Sequence, residues 1–391
     1  MKGGVMSNLV TVIDFSSSGI RLVAGYYFKG TVYALQALEG DRIPLDGNGY
    51  LDKKKAEESL ALLLEEARSK LKNDLGVYIA LLPPDGFIVK SGEGKTTTVD
   101  PSSRIIQIDY VNCIHQVNKL AKLEGKHIVY DDPSLFADDN KKDYDTFPLG
   151  SMSDQLEVFA DAEMVDEESF RHYESILMDL HLDIYMYLVA PFCSVAFLNF
   201  FGAPKSYIAL DIEKDYCYLS YVSKHRMNDS KIIRFGLDEA INEAGSLLNL
   251  SPEMTKDYMK LFGLRAESGF MFITNEGKTL QETSECFKKA FSKLVGYVKE
   301  FIKSHNLADE VPLIILGAGG EIEGLDSYFV EELKRDDMVF SAKVIGARNR
   351  VFTNCLGALL VSSFNYQSPI QEARKKEGTQ QFRNAAFSRS K

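Results

Sequence analysis

The chain predicts a duplicated α/β fold, two similar halves with a cleft between them. Three observations carry this. The segments Val12-Ile13-Asp14-Phe15-Ser16-Ser17-Ser18-Gly19-Ile20-Arg21-Leu22 and Ala209-Leu210-Asp211-Ile212-Glu213-Lys214-Asp215-Tyr216-Cys217-Tyr218-Leu219 share one pattern. Each is an apolar strand ending in an aspartate, then a short turn, then a second strand. The order of elements after them also matches, strand then helix, as it does in duplicated units. Residues 85–165 fit neither copy and read as a small α+β insertion.

Taken in order, residues 9–13, 20–27 and 31–38 form a three-stranded meander, separated by the Ser/Gly turn and by Lys29-Gly30. Residues 54–72 form a helix with Ala56, Leu60, Leu63, Ala67 and Leu71 on one face. A fourth strand, 77–82, stops at Pro83-Pro84-Asp85-Gly86. In the insertion, strands are expected at 87–91, 105–108, 127–131 and 155–163, and a helix at 110–123. The helix over 166–180 turns Phe170, Tyr173, Ile176, Leu177 and Leu180 inward, with Asp166 as its N-cap. The pattern then returns, with strands at 207–212, 216–222 and 231–235. Helices follow near 237–249, 251–262 and 280–305. A strand at 313–316 precedes Gly317-Ala318-Gly319-Gly320.

The 391 residues suffice for two or three domains, each with its own core. A net charge of −11 argues against a nucleic-acid partner, which needs a basic face. The most apolar stretch, 188–201, is shorter than the ~20 residues of a spanning helix and holds Pro191 and Asn199. Residues 1–6 lack the apolar core of a signal peptide, and Met6 is an alternative start. Cysteines 113, 193, 217, 286 and 355 are odd in number and form no CxxC, as expected of a reducing cytosol. The six histidines show no zinc-site spacing. The tail, 367–391, reads as a solvated segment or as a weak amphipathic tether. In the second case Phe382 and Phe387, flanked by Arg383, Arg389 and Lys391, would meet anionic lipid.

A strand-end carboxylate beside a turn of small hydroxyl residues suits phosphates and magnesium. Backbone amides and hydroxyls face the phosphates, and the carboxylate holds the metal's waters. The first turn has this chemistry. The second carries Glu213, Lys214 and Asp215, and two acids there would repel a triphosphate.

The stretch from Asp14 to Arg21 resembles the first phosphate loop of the actin / Hsp70 / sugar kinase superfamily, as found in FtsA division proteins and PilM pilus proteins. The stretch from Leu313 to Leu325 resembles that superfamily's adenosine motif, most specifically in Gly319, Gly320, Gly324 and Leu325. Residues 352–359 resemble its closing helix. FtsA carries a small SHS2-type subdomain after the fourth strand of its first half, where 85–165 lie, and residues 126–138, 148–152 and 156–160 follow the FtsA order. The resemblance covers most of residues 7–365.

It implies an actin-like fold with two lobes around a nucleotide cleft. The first lobe (subdomain 1A) would take 7–84, 166–203 and 352–366, and the insertion (1C) 85–165. The second lobe (2A) would take 204–236 and 311–351, with a helical subdomain (2B) at 237–310 and the tail at 367–391. ATP with Mg²⁺ would be a structural ligand. Asp14 would order the metal through water, and Ser16, Ser17 and Ser18 would meet the phosphates. Arg21 stands where a Lys is common. Asp211 and Gly236 would close the phosphate side, Gly317, Ala318, Gly319 and Gly320 would lie against adenosine, and Lys260 would contact the ribose.

The departures imply weak or absent hydrolysis. Glu213 replaces the first glycine of the second phosphate loop, a charge worth about 1–4 kcal/mol against a nearby phosphate oxygen. Glycine there would let amides approach phosphate closely. Ser16 also replaces a glycine. Asp211 and Glu243 are weak candidates for a catalytic base, in surroundings that do not match one. The implied function is an FtsA-like adaptor: cytoplasmic, peripheral on the membrane at the division septum, self-associating into actin-like filaments. It would bind the C-terminal peptide of FtsZ on 237–310, where Lys288, Lys289 and Lys293 make a basic helix face. The alternatives are a PilM-like adaptor of a pilus or secretion assembly, which needs no membrane tail, and a small-molecule kinase. The kinase needs a general base and an intact second loop.

Overall fold

The computed structural model describes residues 9–16, 19–72, 74–265, 277, 279–335, 339–341 and 350–366. The chain opens with strands β1 (Val10–Ser16), β2 (Gly19–Phe28) and β3 (Thr31–Glu39), helix α1 (Lys53–Leu71) and strand β4 (Val77–Leu82). The helix starts at Asp52, whose carboxylate accepts from the Lys55 amide at 3.0 Å. Its face of Ala56, Leu60, Leu63, Leu64 and Ala67 is buried on the sheet.

The inserted unit comprises β5 (Ile88–Thr97), α2 (Gln107–Ala121), β6 (Lys126–Asp138), β7 (Asp143–Tyr144) and β8 (Gln155–Asp166), its sheet ordered β5-β8-β6-β7. A strand expected at 105–108 is absent. Asp109 accepts from the amides of Ile106 and Val99, at 2.8 and 2.9 Å, and starts α2 at Gln107 instead. The chain returns through α3 (Glu167–Asp179), β9 (Ile184–Val189) and α4 (Ala190–Phe200). Asp166 stands at the N-cap of α3 but caps nothing, because its carboxylate takes Lys126 Nζ at 2.7 Å.

The second half holds β10 (Tyr207–Ile212), β11 (Cys217–Ser223), β12 (Arg226–Ile233), α5 (Leu237–Leu248), α6 (Pro252–Phe262) and α7 (Leu280–Ser304). It continues with β13 (Leu313–Gly317), a 3₁₀ turn (Ala318–Glu321), α8 (Leu325–Leu333) and β14 (Val339–Ser341). A second 3₁₀ turn (Arg350–Phe352) leads into α9 (Thr353–Tyr366), which packs back on β1, β2 and α4. Strand β12 begins five residues before the expected 231, because Lys224 and His225 take positive φ (54° and 64°) and close a tight hairpin with no glycine to announce it.

The duplication is exact in topology. The sheets are ordered β3-β2-β1-β4-β9 and β12-β11-β10-β13-β14, element for element. In each, the central strand pairs antiparallel on one side and parallel on the other. Asp14 and Asp211 both take the fifth position of that strand. The expected fold class, two duplicated lobes with an inserted α+β unit, is the one observed. One apolar core fills the first lobe and runs onto one face of the second-lobe sheet through Tyr207, Tyr218 and Ile314; a second core fills the rest of the second lobe and a third the insert. Each fully buried side chain such as Phe15 or Phe291 contributes about 1.5–3 kcal/mol. Among the described residues, no helix is long and apolar enough to cross a membrane.

Candidate functional site at the lobe junction

Antiparallel pairing sets Arg21 of β2 directly across from Asp14 of β1. From there the guanidinium crosses to the second lobe. Its Nη1 donates to Glu213 Oε1 at 2.9 Å and its Nη2 to Glu213 Oε2 at 2.5 Å, and Nη1 also donates to the Val351 carbonyl at 3.0 Å. Asp14 Oδ2 and Glu39 Oε1 each lie 3.7 Å from it. Arg21 is fully buried and Glu213 is 1% exposed. Burial alone would lower the guanidinium's pKa, but Glu213, Asp14 and Glu39 together hold it well above its ordinary value.

Two further pairs run outward from this one. Lys214 Nζ donates to Glu39 Oε1 at 2.9 Å. Arg42 donates to Asp215 Oδ1 at 2.5 Å and to Asp238 Oδ2 at 2.7 Å. Each residue of Glu213-Lys214-Asp215 thus meets an opposite charge from the first lobe. The turn is fixed from behind by α5. The amides of Leu237 and Asp238 donate to the carbonyls of Glu213 and Lys214, at 3.0 and 2.8 Å. A Cβ on Gly236 would lie 2.2 Å from the Lys214 carbonyl, so only glycine lets the helix start there.

The strand-end aspartates are sealed in. Asp14 is 1% and Asp211 3% exposed. Burial, opposed by Arg21 and helped by Glu213, pushes the Asp14 carboxyl up to about 7. Burial, reinforced by Glu213, pushes Asp211 up to about 8. Asp211 Oδ2 accepts from Ser194 Oγ at 3.3 Å, and Ser194 in turn contacts Asn354. Among the described residues, the Oδ1 atoms of both aspartates have no hydrogen-bond partner. A buried carboxyl in that state is better served by a proton than by a charge.

The junction gathers Asp14, Ser16, Arg21, Asp211, Gly236, Gly317 and Gly319. The contacts they make here are within the chain. Ser16 Oγ donates to the Gly19 carbonyl at 3.0 Å, within its own turn. Gly317 has φ +67°, and a Cβ there would lie 2.2 Å from Asp211 Oδ1. A Cβ on Gly319 would meet the Ile212 side chain at 2.5 Å. Gly320 is buried and Ala318 half-buried in the same turn. Ser17 and Ser18 lie outside the described residues, as does the tail 367–391 with its expected membrane tether.

Other candidates lie elsewhere. Lys260 is exposed on α6. Glu243 is exposed on α5 and interacts with Lys293 rather than with either aspartate. Of the basic face on α7, Lys293 is bound to Glu239 at 2.6 Å and Lys288 to Glu331 at 3.3 Å. Glu39, Arg42, Ser194 and Asn354 have roles at the junction that sequence reasoning did not assign. Their only local signal is the charge cluster Glu39-Gly40-Asp41-Arg42 after a strand.

As the described residues are arranged, the junction does not fit a nucleoside triphosphate. The cation that would receive phosphate already holds a bidentate carboxylate, the first amides of α5 are taken by carbonyls, and the glycines accommodate Asp211, Ile212 and Lys214. Among the described residues, no group of three or more His, Cys, Asp or Glu is arranged to hold a metal ion.

No protein-family model matches the chain, and no curated protein is detectably similar to it. Solved structures are. A chain of the PilM–PilN type IV pilus biogenesis complex superposes with a TM-score of 0.58 at 11% identity, over 90% of this chain and 98% of that one. MreB 5 of Spiroplasma citri bound to AMPPNP gives 0.54 at 11% identity, over 92% and 97%. The ethanolamine utilization protein EutJ of Carboxydothermus hydrogenoformans gives 0.52 at 12%, over 92% and 90%. At such identities the likeness establishes the fold, and the fold is actin-like.

Proposed function

We propose that the protein is an actin-fold adaptor that works by binding other proteins rather than by turnover. The observation that carries this reading is the surface of the inserted unit. Val99, Ile108, Val111, Leu149 and Met152 are between 41% and 63% exposed. Ile108 and Val111 lie one turn apart on α2. Hydrogen bonds tie the flanking segments to the same helix end, the Val99 amide donating to the Asp109 carboxylate at 2.9 Å and the Gly150 amide to the Ile105 carbonyl at 2.8 Å. Exposed apolar clusters of this kind mark protein–protein contacts. At the lobe junction, by contrast, Asp14, Arg21, Asp211 and Glu213 are buried, and the exposed charges outside them are paired with one another.

Within this reading the FtsA-like assignment is the more specific. The protein would sit on the cytoplasmic face of the membrane at the division site, join FtsZ through the 237–310 region, and self-associate. Support comes from the fold and from the motif order, including the insertion after the fourth strand. Co-pelleting with FtsZ polymers, with and without anionic vesicles, tests it. Retention by FtsZ is expected, and vesicle binding is expected to fall when residues 367–391 are removed. A PilM-like adaptor is the second reading, and the PilM–PilN structural likeness supports it only through the shared fold. It would bind a short peptide of an inner-membrane partner and be indifferent to loss of the tail. ATP with Mg²⁺, the ligand the resemblance implies, would have to compete with Glu213. Steady-state hydrolysis is therefore expected at background, and robust turnover would favour the kinase reading.

A further inference from the structure

The tripeptide Glu213-Lys214-Asp215 departs from a phosphate loop, yet its charges are complementary to the opposite lobe. Glu213 faces Arg21, Lys214 faces Glu39 and Asp215 faces Arg42, at 2.5–2.9 Å. The innermost pair is bidentate and excluded from water. An anion arriving between the lobes would have to displace Glu213 from Arg21 or lie against its carboxylate. The usual second anion anchor, the amides opening α5, is occupied by the carbonyls of Glu213 and Lys214. We propose that the lobes reach their closed state without nucleotide, the Glu213 carboxylate serving Arg21 as a built-in anion and the 213–215 turn acting as the latch. The inference holds whichever partner the protein serves.

The test is thermal unfolding of the full-length protein and of Glu213→Gly, titrated with Mg-ATP, Mg-ADP and inorganic phosphate. A ligand that does not bind the native state does not stabilise it, so the wild-type shift is expected below about 1 °C at millimolar Mg-ATP. Glu213→Gly strips Arg21 of its partner and is expected to melt roughly 4–6 °C lower. Phosphate or Mg-ATP, now able to reach Arg21, should restore part of that loss. A wild-type melting point that climbs several degrees with Mg-ATP overturns the proposal. So does a Glu213→Gly protein as stable as wild type, or one that melts lower and gains nothing from either anion. If Glu213→Gly does not fold, Glu213→Gln, which keeps the shape and removes the charge, takes its place in the same titrations.

Discussion

Arg21 and Glu213, 192 residues apart, form a two-point ion pair across the lobe junction with neither side chain more than 1% exposed. Removing one partner leaves a buried charge uncompensated. Glu213→Ala is expected to cost about 3–5 kcal/mol. Replacing both, as Arg21→Met with Glu213→Leu, should recover most of that loss, because desolvating the charges already offsets much of their attraction. Urea unfolding of Arg21→Met, Glu213→Leu and the double variant gives the coupling. A value over about 2 kcal/mol is expected for groups in direct contact, and one near zero would refute the pairing.

The outer pairs are a different case. Arg42 is 63% exposed and Lys214 37%, so solvent screens them. Arg42→Ala and Lys214→Ala are each expected to lose less than about 1 kcal/mol in low salt. The loss should fade toward zero near 1 M salt, where the Debye length is about 3 Å. The effect of Glu213→Ala should persist under the same conditions. Equal salt sensitivity for all three would mean that the inner pair is wetter than its burial indicates.

The duplication was legible because a strand ending in Asp14 or Asp211 leaves a local mark, and the elements after it keep their order. The hairpin at Lys224-His225 left none, since its turn uses residues other than glycine at positive φ. The sense of Glu213 was also out of reach. Read locally, an acid in a glycine position opposes the expected phosphate. Its partner comes from the other lobe, and no spacing rule links positions 21 and 213. The glycines at 236, 317 and 319 were visible as a motif. Their contacts show that close packing within the chain is reason enough for them. Lys288 and Lys293 read as a free basic face for a similar reason, their partners Glu331 and Glu239 lying on other helices.

Those glycine contacts give a sharp comparison. Gly236→Ala would drive a Cβ to 2.2 Å from the Lys214 carbonyl, at a backbone conformation any residue adopts, so the cost is pure clash. Gly317→Ala adds an unfavourable φ of +67° to a 2.2 Å contact with Asp211. Both are expected to lose more than about 2 kcal/mol. Gly296, inside α7 with nothing within 4 Å of a Cβ, is the control. Gly296→Ala should gain about 0.5–1 kcal/mol from helix propensity. If the junction variants behave like the control, the glycines are not there for packing.

The buried aspartates set the sign of the pH dependence. Burial is the main cause at both, and it lifts Asp14 to about 7 and Asp211 to about 8 from a reference of 3.8. Between about pH 4 and these values the native protein keeps protons that the unfolded chain has lost. Stability therefore falls as pH rises through that window, by up to about 1.4 kcal/mol per pH unit for each group, and the loss is complete above about pH 8. Asp132 and Glu163 on the inserted sheet, also pushed up by burial, act in the same direction. Asp211→Asn isolates part of the junction's share. It should match wild type near pH 5 and exceed it near pH 9, with a flatter dependence of the urea midpoint on pH. A variant profile parallel to wild type would show that Asp211 is ionised in the native protein throughout.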